Sequence, residues 1–207
     1  MKKYEFTGET KEIVLPYRNA VLHHIRAITD FGTVKVGDLG GWIEEEWNLS
    51  HEGNAWVRGD AEVYGNAWVY GNAKVYDNAE VYDNAWVCGN AKIYGNAWVR
   101  GDAVVCSNAK VYGDAEVYGN AEIFLTSQVL TIGPIGSRNG FTTFYRDKDN
   151  EITVKCGCFL GKMERFLEKV EQTHGDSKHG QVYRAAAEIA RLQIDLSLEK
   201  PVKAEIE

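Results

Sequence analysis

The residues best suited to chemistry lie outside the most regular part of the chain. Gly136-Ser137-Arg138-Asn139-Gly140 runs directly into Phe141-Thr142-Thr143-Phe144-Tyr145-Arg146. A glycine-flanked loop can turn backbone N–H groups toward an anion. Arg138 and Arg146 can grip a phosphate or carboxylate through paired donors. Ser137, Thr142 and Thr143 add hydroxyls, and Tyr145 adds a ring able to stack on a base. An anionic nucleotide is the expected ligand. The plainer alternative, a hairpin loop with solvated arginines, stays open. No Gly-Lys-Ser/Thr follows the loop, so it is not a P-loop.

Cys156-Gly157-Cys158 with His174 and His179 offers four potential zinc ligands. The spacing between the cysteines is tight, and structural thiols in a strand are the simpler reading. Cys88 and Cys106 stand 18 residues apart, in equivalent positions of a repeat described below. Stacked thiols are expected there, with a disulfide as the minor reading in a reducing compartment. His23, His24 and His51 precede the repeat.

The element that must position these groups is a six-residue period. From residue 54 to 131 the chain reads NAWVRG, DAEVYG, NAWVYG, NAKVYD, NAEVYD, NAWVCG, NAKIYG, NAWVRG, DAVVCS, NAKVYG, DAEVYG, NAEIFL, TSQVLT. A fixed period outweighs other fold signals. Each unit is a short strand, Ala-x-Val-x, followed by a corner. Alternation sends Ala and Val inward and the x positions outward. The corner residues tolerate the left-handed backbone that a sharp bend requires.

This pattern resembles the hexapeptide-repeat family. The resemblance implies a left-handed parallel β-helix with three hexads per 18-residue coil, commonly assembled as a trimer. The family includes acyltransferases, with a catalytic His between subunits, and zinc carbonic anhydrases, with His ligands from the coils. Residues 54–131 contain no His and no inserted loop. The expectation is therefore a non-catalytic scaffold or binding protein without catalytic residues, metal or cofactor. A hexapeptide-repeat acyltransferase and an inert spacer are the alternatives.

Folding the repeat at 18 residues sorts its outward side chains. One face carries Trp56, Lys74, Lys92 and Lys110. A second carries Glu62, Glu80, Trp98 and Glu116. The third carries Trp68, Trp86, Val104 and Glu122, with Tyr70, Cys88, Cys106 and Phe124 two residues further along. The charged faces read as solvated surface. The apolar face exceeds what a soluble monomer leaves wet. Trp68, Tyr70, Trp86, Cys88, Val104, Cys106 and Phe124 are the expected interface of a homo-oligomer, unless C-terminal helices cover them.

Residues 1–53 are expected to form an N-terminal β cap. Asn48 to Gly53 looks like a degenerate hexad, with Leu49 in the Ala slot and His51 in the Val slot. Residues 132–207 are expected to form a small α+β domain. Its strands are Phe141–Arg146 and Glu151–Cys158. Phe159, Met163, Phe166 and Val170 mark one helix, and Val182, Ala186, Ile189 and Leu196 a second.

Net charge is −7, with 5 basic and 9 acidic side chains in residues 54–125. An acidic rod argues against duplex nucleic acid and anionic membrane as partners. No apolar run reaches membrane-spanning length and no signal-peptide core opens the chain, so a cytoplasmic location is expected. A second resemblance rests on the lead-in GDLGGWIEEEWNLSHEGNAWV and the tail TIGPIGSRNGFTTFYR, with CGCF and THGD. These look like an uncharacterised family of small bacterial and phage proteins. That resemblance implies a shared architecture and a phage or prophage origin, with no established activity. Phage accessory proteins often block host defences, so counter-defence is the expected role, by binding a host protein or sequestering a signal nucleotide.

Overall fold

A computed structural model describes residues 1–197. The repeat folds as a three-sided parallel β-solenoid. Twelve two-residue strands, β4 (Trp56–Val57) to β15 (Glu122–Ile123), recur every six residues. Each pairs in parallel with the equivalent strand of a neighbouring coil, as in Trp56↔Lys74, Lys74↔Lys92 and Lys92↔Lys110. The inward Ala and Val side chains, from Ala55 to Ile123, are almost completely buried. Burying each branched side chain stabilises the rod by roughly 1.5–3 kcal/mol before chain entropy is counted.

The corners divide their labour between two residues. The glycine before each Asn or Asp takes φ between 62° and 75° from Gly59 to Gly119, and Asp77, Asp83 and Ser107 take the same conformation. A Cβ on Gly53 would lie 2.4 Å from the Gly71 carbonyl oxygen of the next coil. The asparagines form ladders along the rod. Asn54 donates to Asn72, Asn72 to Asn90 and Asn90 to Asn108, at 2.8, 3.2 and 3.3 Å.

Both rod ends are closed by the chain itself. Strands β1 (Tyr4–Val14), β2 (Asn19–Ala27) and β3 (Leu39–Ile43) form an antiparallel meander, and β3 joins the solenoid in parallel through Trp42↔Glu62. Tyr4 and Lys3 plug the first coil. The Tyr4 hydroxyl donates to the Glu46 and Leu49 carbonyls, and the Lys3 ammonium donates to the Ala55 carbonyl at 2.8 Å. Leu49 pairs with Val69, so it fills the Val slot rather than the Ala slot. His51 instead stacks on the Tyr4 ring. A 3-10 turn, Glu46–Asn48, replaces the Gly-Asn corner there and shifts the register.

At the other end the unit Thr126–Thr131 leaves the rod. Leu125-Thr126 cannot supply the left-handed glycine corner, and a second 3-10 turn, Thr126–Gln128, forms. The chain then enters an antiparallel sheet of β16 (Val129–Ile135), β17 (Gly140–Arg146), β18 (Ile152–Cys156) and β19 (Phe159–Lys162). Helices α1 (Met163–His174) and α2 (Lys178–Gln193) pack on this sheet. Phe159 lies in β19, not in the helix expected to include it. The buried face of α2 is Tyr183, Ala186, Ala187 and Ala190, while Ile189 is exposed and Leu196 lies beyond the helix. Among the described residues no helix is long and apolar enough to cross a membrane.

Candidate functional site in the C-terminal unit

Strand β17 carries four of the six expected ligand residues. Thr143 and Tyr145 point at the last coil. The Glu116 N–H donates to the Thr143 hydroxyl at 3.0 Å. The Tyr145 hydroxyl accepts from the Tyr118 N–H and donates to its carbonyl, at 3.2 and 3.0 Å. Burial raises the Tyr145 pKa, so it stays protonated as a donor. Arg146 is 2% exposed. Its guanidinium donates to the Glu122 carbonyl and to Asn150, both at 2.9 Å, and lies 3.6 Å from the Glu122 carboxylate. Thr142 is buried and donates to the Cys156 sulfur at 3.2 Å. These four side chains seal the rod against the sheet or fix a neighbouring strand. They are not presented to a ligand, which corrects the sequence expectation. The alternating pattern of a central strand, packed on both faces, is the physical reason.

Ser137 and Arg138 go elsewhere. They occupy the turn between β16 and β17 and line a cavity of about 220 Å³ between the sheet and the two helices. Ile135, Phe141, Phe159, Phe166 and Val170 supply apolar walls. Cys156, Cys158, Lys169, His174 and Tyr183 supply polar groups. Arg138 and Arg146 lie at opposite ends of β17, about 20 Å apart. Among the described residues no carboxylate lies within 4.0 Å of the Arg138 or Lys169 cation.

Tyr183 organises the cavity. It lies against Gly136, where a Cβ would stand 1.9 Å from the tyrosine hydroxyl oxygen, so only glycine fits. Burial raises the Tyr183 pKa, helped by its hydrogen bond with Cys156 and opposed by Ser137 and Arg138. The Cys156 sulfur therefore sits between the Thr142 and Tyr183 hydroxyls. The His174 ring lies 5.5 Å from Tyr183. Cys156, Cys158 and His174 share the cavity. Even so, no group of three His, Cys, Asp or Glu side chains among the described residues is placed to hold a metal ion. The sequence reading missed Lys169 and Tyr183. Lys169 faces the cavity because α1 packs on β18 and β19, and Tyr183 because α2 folds back over α1 and the sheet, and no local pattern signals either packing.

On the rod, the expected interface splits. Tyr70, Cys88, Cys106 and Phe124 are buried in a cluster of their own, with Val104 packed against it. Cys88 and Cys106 are joined as a disulfide with Cα atoms 4.5 Å apart, in place of the expected thiols. Trp68 stacks over Tyr70 at 4.1 Å and meets Trp86 edge-on at 6.2 Å. Trp68 and Trp86 keep 38% and 45% of their surface exposed.

No protein-family model matches the chain. A curated protein of Escherichia coli K12, described as an uncharacterized acetyltransferase and called YdcK, is 38% identical over 61 residues. That stretch is 28% of this chain and 19% of the E. coli protein, so the chain spans only a small part of its relative. The likeness corrects one expectation. A chain expected to be no enzyme has, over a short stretch, a relative whose name is enzymatic.

Proposed function

We propose that the protein binds a small carboxylate with an apolar or aromatic body in the C-terminal cavity. The solenoid serves as the platform that carries this site. One observation carries the reading: Arg138 and Lys169, which have no carboxylate within 4.0 Å among the described residues, line the same cavity as Phe141, Phe159 and Phe166. Arg138 and Lys169 are exposed, so a charge-assisted contact of either to such a ligand contributes roughly 0.2–1 kcal/mol. At about 220 Å³ the cavity falls below the ~300–1,000 Å³ usual for drug-sized ligands. The cavity suits a small metabolite or one end of a larger molecule. A thermal-shift panel of aliphatic and aromatic carboxylates, nucleotides and acetyl-CoA tests this. Stabilisation by a small carboxylate supports it. Stabilisation by nucleotides alone, or by nothing, removes it.

A second reading, acyl transfer, is favoured by the likeness to the E. coli protein. Residues 54–131 hold no His, so any imidazole base must come from elsewhere. His174 beside Tyr183 and Cys156 supplies one. An acyl group would then enter the apolar cavity, with the carrier's phosphates on Arg138 and Lys169. Release of free thiol from acetyl-CoA in the presence of amine or hydroxyl acceptors would support this reading, and its loss in His174→Ala would place the base.

The exposed Trp68–Trp86 face is also proposed as a self-association surface, with a trimer as the favoured state. A cytoplasmic location and a phage or prophage counter-defence role belong to the same proposal, a host protein being the alternative partner. The counter-defence role rests on the lead-in and tail motifs alone.

A further inference from the structure

The lysine row on the rod has no part in the cavity. Lys92 stands in register between Lys74 and Lys110 on adjacent parallel strands, so the row repeats at ~4.8 Å. Like charges placed side by side on neighbouring strands repel. The glutamate row shows how the chain relieves this elsewhere. Glu62 pairs with Lys11 at 2.7 Å, Glu116 with Lys155 at 2.5 Å, and Glu80 accepts from Tyr64 at 3.0 Å. The lysines receive no such relief. Among the described residues no carboxylate lies within 4.0 Å of Lys74, Lys92 or Lys110. Lys92 and Lys110 are exposed.

A second row runs beside the first. Tyr76, Tyr94 and Tyr112 stack with centroids 4.9 and 5.2 Å apart and planes within 1° and 11°. Arg58 lies over the first ring at 4.9 Å. Each tyrosine follows its lysine by two residues, so the rows run parallel about 7 Å apart. On the other flank the Asn54–Asn72–Asn90–Asn108 ladder is neutral. The face thus presents a line of cations between two lines of hydrogen-bonding groups, all repeating at one interval along the rod.

We propose that this face binds a linear acidic polysaccharide lying along the rod axis. Its carboxylates rest on Lys74, Lys92, Lys110 and Arg58, and its ring hydroxyls meet the tyrosine hydroxyls and asparagine amides. A linear polyanion along the axis meets all three lysines, and the flanking tyrosine and asparagine rows offer partners for its hydroxyls. A single-stranded nucleic acid fits less well. It needs free aromatic faces on which bases stack, and these rings cover each other's faces. A second copy of the chain fits less well too, because its glutamate row already has partners within its own chain.

The test uses the full-length protein and biolayer interferometry with three probes: an oligogalacturonate, an oligothymidine of equal charge, and neutral dextran. The oligogalacturonate binds, and binds more weakly as salt rises. The triple variant Lys74→Gln, Lys92→Gln, Lys110→Gln loses at least about tenfold in affinity. A control triple, Lys2→Gln, Lys35→Gln, Lys178→Gln, stays within about twofold. Relief of repulsion leaves the melting temperature of the first triple unchanged or raised, which separates lost binding from lost fold. Three results would overturn the proposal: no binding to the oligogalacturonate, equal or tighter binding to oligothymidine, or unchanged affinity in the first triple. The cavity reading is untouched by any of them.

Discussion

Arg138 and Arg146 look interchangeable in sequence, but the fold gives them different tasks. Arg146 is buried and bonded to the last coil, so Arg146→Ala leaves the Glu122 carbonyl and carboxylate facing a void. We expect a loss of about 3 kcal/mol or more in chemical denaturation. Asp147 is equally committed. It is fully buried and holds Lys162 at 2.6 Å, Thr153 at 2.5 Å and the Glu151 N–H at 3.2 Å. Burial pushes its pKa up, but those hydrogen bonds prevail and hold it below the usual value. Its contribution is present above the unfolded aspartate pKa and is lost as pH falls through the folded one. Asp147→Ala should cost about 3 kcal/mol at neutral pH, and a cost below 1 would show the bonds to be idle. Lys3 gives the opposite signature. Burial pushes its pKa down to about 8 from 10.5. Between those values the unfolded chain holds a proton that the folded chain has lost, so stability rises with pH. Above about pH 10 the buried tyrosines Tyr64, Tyr118 and Tyr145, all raised, reverse the trend because they ionise first in the unfolded chain. The melting temperature should climb from pH 8 to about 10 and then fall. Lys3→Met should flatten the climb, and parallel curves for the two proteins would contradict this.

At the scale of elements, the rod was legible because its period is written in every unit. Ala and Val recur at fixed slots, and each one lands in the interior. The ends were not legible, because there the pattern is replaced rather than repeated. Leu49 shifted slot when Glu46–Asn48 formed a 3-10 turn, and buried Asn48 took over the backbone bonding with Gly65 and Ala67. The asparagine ladders also escaped notice, since a corner asparagine suggests backbone conformation before it suggests side-chain stacking. Of the expected ligand residues, Ser137 and Arg138 line the cavity proposed as the site, while Thr142, Thr143, Tyr145 and Arg146 are buried against the rod or a neighbouring strand. Alternation along β17 was readable, but not the fact that the rod end covers one side of the sheet and the helices the other. Lys169, His174 and Tyr183 meet only through the α1–α2 turn, which depends on tertiary packing.

At the scale of the molecule, a parallel solenoid carries a mixed sheet-and-helix unit at one end and a β meander at the other. The helices pack on the C-terminal sheet and leave Trp68 and Trp86 on the rod exposed. If this face joins copies, multi-angle light scattering should give a trimer. Trp68→Ser with Trp86→Ser should then give monomers of unchanged circular dichroism, and a monomeric wild type would exclude the assembly. Calorimetry tests ligand binding in the cavity. Whichever small carboxylate stabilises the protein most is titrated into the wild type, Arg138→Ala, Lys169→Ala and Arg146→Ala. This reading predicts a loss of up to about fivefold in affinity for each of the first two. For Arg146→Ala it predicts affinity near wild type, provided the variant remains folded. Equal affinity in the wild type, Arg138→Ala and Lys169→Ala would contradict it.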